Sequence, residues 1–348
     1  MLSFALNVFF IAAVKCASMH AHTPLLTISV LGWFLAFGQT AGQPAQNRTF
    51  TLPHVETAEQ FQEIANLLMG IGDASTQSLD LGQKTITVHG TPEQLALAGW
   101  VCDVLDNPGE PVTMAYHMAG VDENTVHLFF APYAQSRQDF QEVVTAVRAI
   151  TDMRRMFTYS SSKAIVVRGT ADQVAAAAWL FAELGKAPNA TTAAPYRMPN
   201  GDDEIRVFHT LHTNTDQHFM EVEVTARSIG DVRRMFACST PRVIAARGTA
   251  VQMALSEWLF EQLDRNSPGN APSREYHLLN ETENTVQVFY VPHVPTQAEF
   301  QKIAASVRTT TNIRRMFASY TPRAIAVRGT PSQVAVAAQL IAERTKTN

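Results

Sequence analysis

Cysteine is scarce: the 348-residue chain holds three, Cys16, Cys102 and Cys238. Cys102 falls in a predicted helix and Cys238 in a predicted strand of a different segment, so two buried, unpaired thiols are expected and no disulfide framework. No C-x-x-C and no Cys/His pair has zinc spacing, which argues against a structural metal. An excess of one charge is missing too. The chain has 27 Lys and Arg against 31 Asp and Glu, which removes the whole-chain electrostatic case for binding nucleic acid. Catalytic signatures are absent as well: there is no G-x-S-x-G, H-E-x-x-H, P-loop or paired-carboxylate arrangement. The expectation is therefore a chain that is not an enzyme and uses no cofactor.

Long apolar runs are also missing. Leu2 to Val14 and Leu25 to Gly38 both fall short of the roughly 20 residues that a spanning helix needs. The second run ends in Ala36-Phe37-Gly38 and Gln39-Thr40-Ala41, small-residue patterns that a signal peptidase could cut. Residues 1–41 therefore read as a leader that exports the protein, with Met19 as a second candidate start. The alternative is an uncleaved amino-terminal anchor. Val14-Lys15-Cys16 puts a charge where a lipoprotein needs a small residue.

What the sequence does have is repetition. Gly-Thr recurs at Gly90-Thr91, Gly169-Thr170, Gly248-Thr249 and Gly329-Thr330, with spacings of 79, 79 and 81 residues. Phe61, Phe140, Phe219 and Phe300 each lie 29 residues ahead of those glycines. A period this long marks tandem small domains. Repeats are expected over 48–106, 112–186, 194–264 and 273–345, separated by Pro-containing linkers such as Asn107-Pro108-Gly109-Glu110-Pro111.

The fourth copy shows the unit most clearly. Thr285 to Val291 is an alternating, β-branched run that reads as a strand. Phe300, Ile303, Ala304 and Val307 then form the stripe of an amphipathic helix. Ile313 to Ser319 and Ala324 to Val327 read as a hairpin turned at Tyr320-Thr321-Pro322-Arg323. Gly329 is expected to free the backbone, and Thr330 with Gln333 opens a second helix as a capping box. The same T-x-x-Q recurs as Thr91/Gln94, Thr170/Gln173 and Thr249/Gln252. The unit is β-α-β-β-α, with short extra strands plausible at Tyr116-His117-Met118, Tyr196-Arg197-Met198 and Tyr276-His277-Leu278.

Differences between copies point to contacts between them. Trp100, Trp179 and Trp258 sit nine residues after the capping Thr, where the fourth copy has Gln339. At 100° per residue they lie opposite the inward stripe. Conversely, Arg154-Arg155-Met156-Phe157, Arg233-Arg234-Met235-Phe236 and Arg314-Arg315-Met316-Phe317 recur in copies two to four, where copy one has Ser75-Thr76-Gln77-Ser78. Trp marks copies with a following neighbour and Arg-Arg marks copies with a preceding one, the pattern of caps in a solenoid. Each Trp is expected to pack on the Arg-bearing hairpin of the next repeat, guanidinium on indole. Because neighbouring strand residues face opposite ways, one Arg of each pair is expected to point to solvent or a partner and the other over the helices.

Other polar residues read as structural. His54, His212 and His293 share one position with Tyr133, which favours an amphipathic capping contact over a metal ligand. His209 and His212 form an H-x-x-H that no other repeat has. Asp202-Asp203-Glu204 beside Asn200-Gly201 suits a hairpin tip.

Strand, tight turn, strand, Gly-Thr, then a helix ending in Leu-Asp, as in Lys163 to Thr170 or Gly90 to Asp106, resembles the small amino-terminal domains of bacterial secretins. The resemblance implies a KH-like βαββα fold and a ring-building role in the periplasm. Those domains typically have Asn in the turn where this chain has Lys163, Arg242 or Arg323, and the secretin pore domain has no counterpart here. The KH Gly-x-x-Gly loop is missing too. The reading is α+β: four tandem βαββα modules behind a signal peptide, forming an extended or curved rod in the periplasm or secreted. Its task is association with copies of itself or a protein partner of the envelope, as in a secretion or pilus-type apparatus. The second reading is a nucleic-acid or polyanion binder using the Arg-Arg pairs.

Overall fold

The computed structural model describes residues 44–107, 113–119, 124–186, 194–199, 201, 203–265, 269 and 272–346. The expected leader and most of the linker residues lie outside the described residues. Gln43–Asn348 forms one compact unit. It is α+β and contains four modules of antiparallel sheet with two helices.

Module 1 is β1 (Gln46–Thr51), α1 (Ala58–Gly72), β2 (Ser75–Asp80), β3 (Thr85–Gly90) and α2 (Pro92–Leu105), with strand order β1-β3-β2. Module 2 is β4 (Met114–His117), β5 (Thr125–Phe130), α3 (Arg137–Thr151), β6 (Arg155–Tyr159), β7 (Ala164–Gly169) and α4 (Ala171–Leu184). Module 3 is β8 (Tyr196–Arg197), β9 (Asp203–His209), α5 (Asp216–Gly230), β10 (Arg234–Cys238), β11 (Val243–Thr249) and α6 (Ala250–Leu263). Module 4 is β12 (Tyr276–His277), β13 (Thr285–Tyr290), α7 (Gln297–Thr311), β14 (Arg315–Tyr320), β15 (Arg323–Gly329) and α8 (Pro331–Lys346). Modules 2 to 4 carry the short strand as a fourth member of the sheet, in orders β4-β5-β7-β6, β10-β11-β9-β8 and β12-β13-β15-β14.

The capping boxes form as the T-x-x-Q spacing predicts. Gln94 N donates to Thr91 Oγ1 at 3.3 Å, and Thr91 N donates back to Gln94 Oε1 at 2.8 Å. The glutamine also ties the module's two helices together: Gln94 Nε2 donates to the Asp73 carbonyl at 2.9 Å and Gln252 Nε2 to that of Asp231 at 2.7 Å. This explains the glycine of Gly-Thr, and corrects the expected reason for it. Gly329 does not need a left-handed backbone, since Gly201 is the glycine with positive φ among the described residues. A Cβ at Gly90, Gly169 or Gly248 would instead meet the glutamine Oε1 at 2.9, 2.8 or 2.6 Å, so the glycine makes room for the folded-back side chain.

The helix pairs of modules 1 to 3 each lie between their own sheet and the sheet of the following module. The cluster around Phe61, Ile64 and Val101 includes Val126, Leu128, Ala164 and Val166 of module 2. That around Phe140 and Leu180 includes Ile205, Val207, Val243 and Ala245 of module 3, and that around Phe219 and Leu259 includes Val286, Val288, Ala324 and Ala326 of module 4. Small modules that could bury little alone thus share cores. The consequence shows along equivalent strands: every residue of β7 is buried, whereas β3 alternates between buried and half-buried. A sheet covered on both faces reads as a continuous apolar run, and one covered on a single face alternates. Ala164-Ile165-Val166-Val167 against Thr85-Ile86-Thr87-Val88 is that difference in sequence.

Cys102 and Cys238 are free and buried, and burial pushes both thiols up to about 12. Among the described residues no helix is long and apolar enough to cross a membrane, and no group of three or more His, Cys, Asp or Glu is placed to hold a metal ion.

Candidate interaction surfaces

Beyond the shared core, four contacts stand out at the junction between modules 1 and 2. First, α1 ends at Asp73, in the left-handed conformation with φ 54°. Asp73 Oδ2 accepts from Arg155 Nη1 at 2.6 Å and from Arg168 Nη1 at 3.0 Å. Arg155 and Arg168 are register partners on β6 and β7, so two cations from neighbouring strands converge on one carboxylate. Arg168 Nη1 also donates to the Ile71 carbonyl at 2.7 Å, placing positive charge at the negative end of α1. Second, Glu63 on α1 accepts from Ser160 N at 2.9 Å and Ser160 Oγ at 2.7 Å. Third, Phe157 fills the slot above Gly70, where a Cβ would stand 1.8 Å from the ring. Fourth, Trp100 lies against Tyr116 with ring centroids 5.6 Å apart.

The second and third junctions repeat the Asp–Arg, Glu–turn and Trp–Tyr contacts one period on. Asp152 accepts from Arg234 at 2.8 Å and Arg247 at 3.1 Å, and Asp231 from Arg315 at 2.9 Å. Glu142 accepts from Ser239 N at 2.6 Å; Glu221 accepts from Ser319 Oγ and Tyr320 N, both at 2.8 Å, and from Thr321 N at 3.1 Å. Trp179 meets Tyr196 at 5.7 Å and Trp258 meets Tyr276 at 5.5 Å.

These contacts differ from the expected guanidinium-on-indole stack. The tryptophans do reach the next module, but onto the tyrosine of its short strand. Arg155, Arg234 and Arg315 reach back to the aspartates instead, since a carboxylate at hydrogen-bond distance binds a guanidinium more strongly than an indole face does. Arg154, Arg233 and Arg314, the first residues of the pairs, are exposed. The sequence reading missed Asp73, Asp152, Asp231, Glu63, Glu142, Glu221, Arg168, Arg247 and Arg328, the last of which donates from Nη1 to the Ile229 carbonyl at 3.1 Å. Their recurrence with the repeat period marks them as repeated residues, but not which residue each one meets.

The remaining polar candidates serve local structure. His54 Nδ1 pairs with Asp106 Oδ2 at 3.2 Å, and His212 Nδ1 lies 3.1 Å from the Asp264 carbonyl, so both cap the end of the second helix. In module 2 the aspartate is Gly185 and the histidine is Tyr133, whose ring occupies the space where a Gly185 side chain would stand. His209 has no hydrogen-bond partner at either ring nitrogen, and burial holds its pKa below the ordinary value. Asp203 accepts from Arg247 and Glu204 from Arg206, at 3.0 and 2.8 Å; Asp202 lies outside the described residues.

One edge of each four-stranded sheet is closed by a cation. Arg148 donates to the outward carbonyl of Met156 on β6 at 2.8 Å, and Arg308 does the same for Met316 on β14 at 2.9 Å. Capping an edge carbonyl this way discourages pairing with another strand. A groove of about 480 Å³ lies beside β6, lined by Glu63, Asn66, Gln141, Arg148, Phe157 and Thr158 among others.

No known family description matches the chain, and no curated protein matches it. Among solved structures it is similar to ExeD of Aeromonas hydrophila, at 14% identity over 83% of this chain and 60% of that one, with a TM-score of 0.16. The type II secretion system secretin GspD of E. coli K12 matches at 11% identity over 64% and 40%, with a TM-score of 0.16. Aspartate kinase from Synechocystis matches at 10% identity over 87% and 55%, with a TM-score of 0.18. The chain thus spans 60% or less of the length of each. Superpositions this loose carry no argument for function, and the α+β assignment rests on the modules themselves.

Proposed function

We propose that this chain is an exported, non-enzymatic association module of the bacterial envelope, working with a secretion or pilus-type apparatus through protein contacts. The observation that carries the reading is that the repeated, non-core residues join protein surface to protein surface: Asp to paired Arg, Glu to a hairpin turn, Trp to Tyr. The residues that recur with the period build contacts between modules. The polyanion alternative loses one arginine of each pair to an aspartate of the preceding module, which leaves Arg154, Arg233 and Arg314 to support it.

The test is fractionation of the producing cells followed by in-cell crosslinking and mass spectrometry. Recovery from the periplasm, crosslinked to an apparatus component, is the expected result. Recovery from the cytosol would overturn it. Anisotropy with a labelled DNA duplex at rising salt separates the alternative, since a polyanion binder loses affinity steeply with salt.

A further inference from the structure

The four junction contacts can be followed to the two ends of the stack, where the residues that make them change. On the helix face of module 4, the position of Glu63, Glu142 and Glu221 is Lys302, and that of Asp73, Asp152 and Asp231 is Asn312. Asn312 keeps the left-handed conformation, φ 54°, so the backbone is unchanged and only the carboxylate is gone. The position of Gly70, which is Ala149 in module 2 and Ser228 in module 3, is the branched Thr309, and the tryptophan is Gln339. Lys302 and Gln339 are exposed. Val336, 42% exposed, stays apolar where Leu97, Ala176 and Leu255 are buried, and Leu340 is half-buried where Val101, Leu180 and Leu259 are fully buried.

The sheet face of module 1 shows the complementary losses. The arginine positions are Thr76 and His89, and Leu81 stands where Ser160 and Ser239 meet the glutamate. The apolar outer residues Val126, Leu128, Ala164 and Val166 of module 2 become Asn47, Thr49, Thr85 and Thr87. These polar groups satisfy one another within the sheet: Thr49 and Thr87 hydroxyls lie 2.9 Å apart, and His89 Nδ1 lies 2.8 Å from Asn47 Oδ1.

We propose that the stack is closed at both ends against a second copy of itself, so that copies of this chain do not extend one another head to tail and any association between them uses the flanks. Docking module 4 of one copy onto module 1 of another would set the Lys302 ammonium against backbone N–H donors, leave Asn312 without a guanidinium, and bury a polar sheet face. Repeat proteins need such polar terminal faces to stay soluble. A heterologous contact that does not close would otherwise generate filaments.

The experiment places cysteines at Leu81→Cys and Lys302→Cys, both exposed, in the full chain on a Cys16→Ser background. The positive control is Glu63→Cys with Ser160→Cys, positions in contact across the first junction. Under mild oxidation the control pair should close to near completion within one chain. The 81/302 pair should give no intermolecular ladder beyond that of either single variant. A ladder forming as completely as the control would overturn the proposal. The crosslink reports on the end faces alone, so it stands whether or not an envelope partner is found.

Discussion

Asp152, in the left-handed cap of α3, receives Arg234 of the neighbouring strand β10 at 2.8 Å and Arg247 of β11 at 3.1 Å. One carboxylate thus joins a helix end of module 2 to two strands of module 3. Asn suits the same backbone conformation, as Asn312 shows, so Asp152→Asn removes the charge and leaves the cap. The aspartate is half exposed, which screens the pair, and the expected loss is about 1 kcal/mol. For a chain of this size that lowers Tm by about 1–2 °C. An unchanged Tm would show that the carboxylate does not hold the junction.

Gly70→Ala tests the Phe157 slot through the sign of its effect. In an exposed helix, alanine is more favourable than glycine by about 1 kcal/mol. Here the new methyl would stand 1.8 Å from the Phe157 ring, and overpacking should outweigh the helix gain, for a net loss of about 1–3 kcal/mol. Adding Phe157→Leu should recover part of it. A stabilised single variant in chemical denaturation would show that Phe157 does not occupy the slot.

The Trp–Tyr contact is measured by a double-mutant cycle. Trp179→Ala and Tyr196→Ala should couple by about 0.5–1.5 kcal/mol, the usual range for an aromatic pair. Trp179→Ala should also speed proteolysis between modules 2 and 3. Additive losses would mean that the rings, at 5.7 Å, do not interact.

Glu223 is 1% exposed on α5, beside Arg227. Burial raises its carboxyl pKa, and Arg227 pulls the other way without cancelling the shift. A carboxyl whose folded pKa lies above its unfolded value costs stability once pH rises through that interval, and the cost is relieved as pH falls back through it. The equivalent positions are Ala65, Val144 and Ala304. Glu223→Ala should therefore raise Tm at neutral pH and make little difference at pH below the ordinary glutamate pKa. A drop in Tm at neutral pH would show that the ion pair with Arg227 outweighs the burial.

The unit, its four copies and its helix starts were legible in the sequence because they rest on local chemistry. Apolar spacing sets the strands and helices, and Thr-x-x-Gln satisfies the first N–H groups of a helix within four residues. The absence of Trp and Arg-Arg from opposite ends was legible too, because a period makes a missing residue visible. The partners of those residues were not. Arg155 meets Asp73 at 2.6 Å across 82 residues of chain, and nothing local distinguishes that aspartate from any other helix-ending one. The tertiary structure alone decided that the sheets of modules 2 to 4 are each covered by the preceding module's helices. That packing brings Asp, Arg and Arg together and moves the tryptophan onto tyrosine, because contacts between modules depend on how two folded surfaces meet.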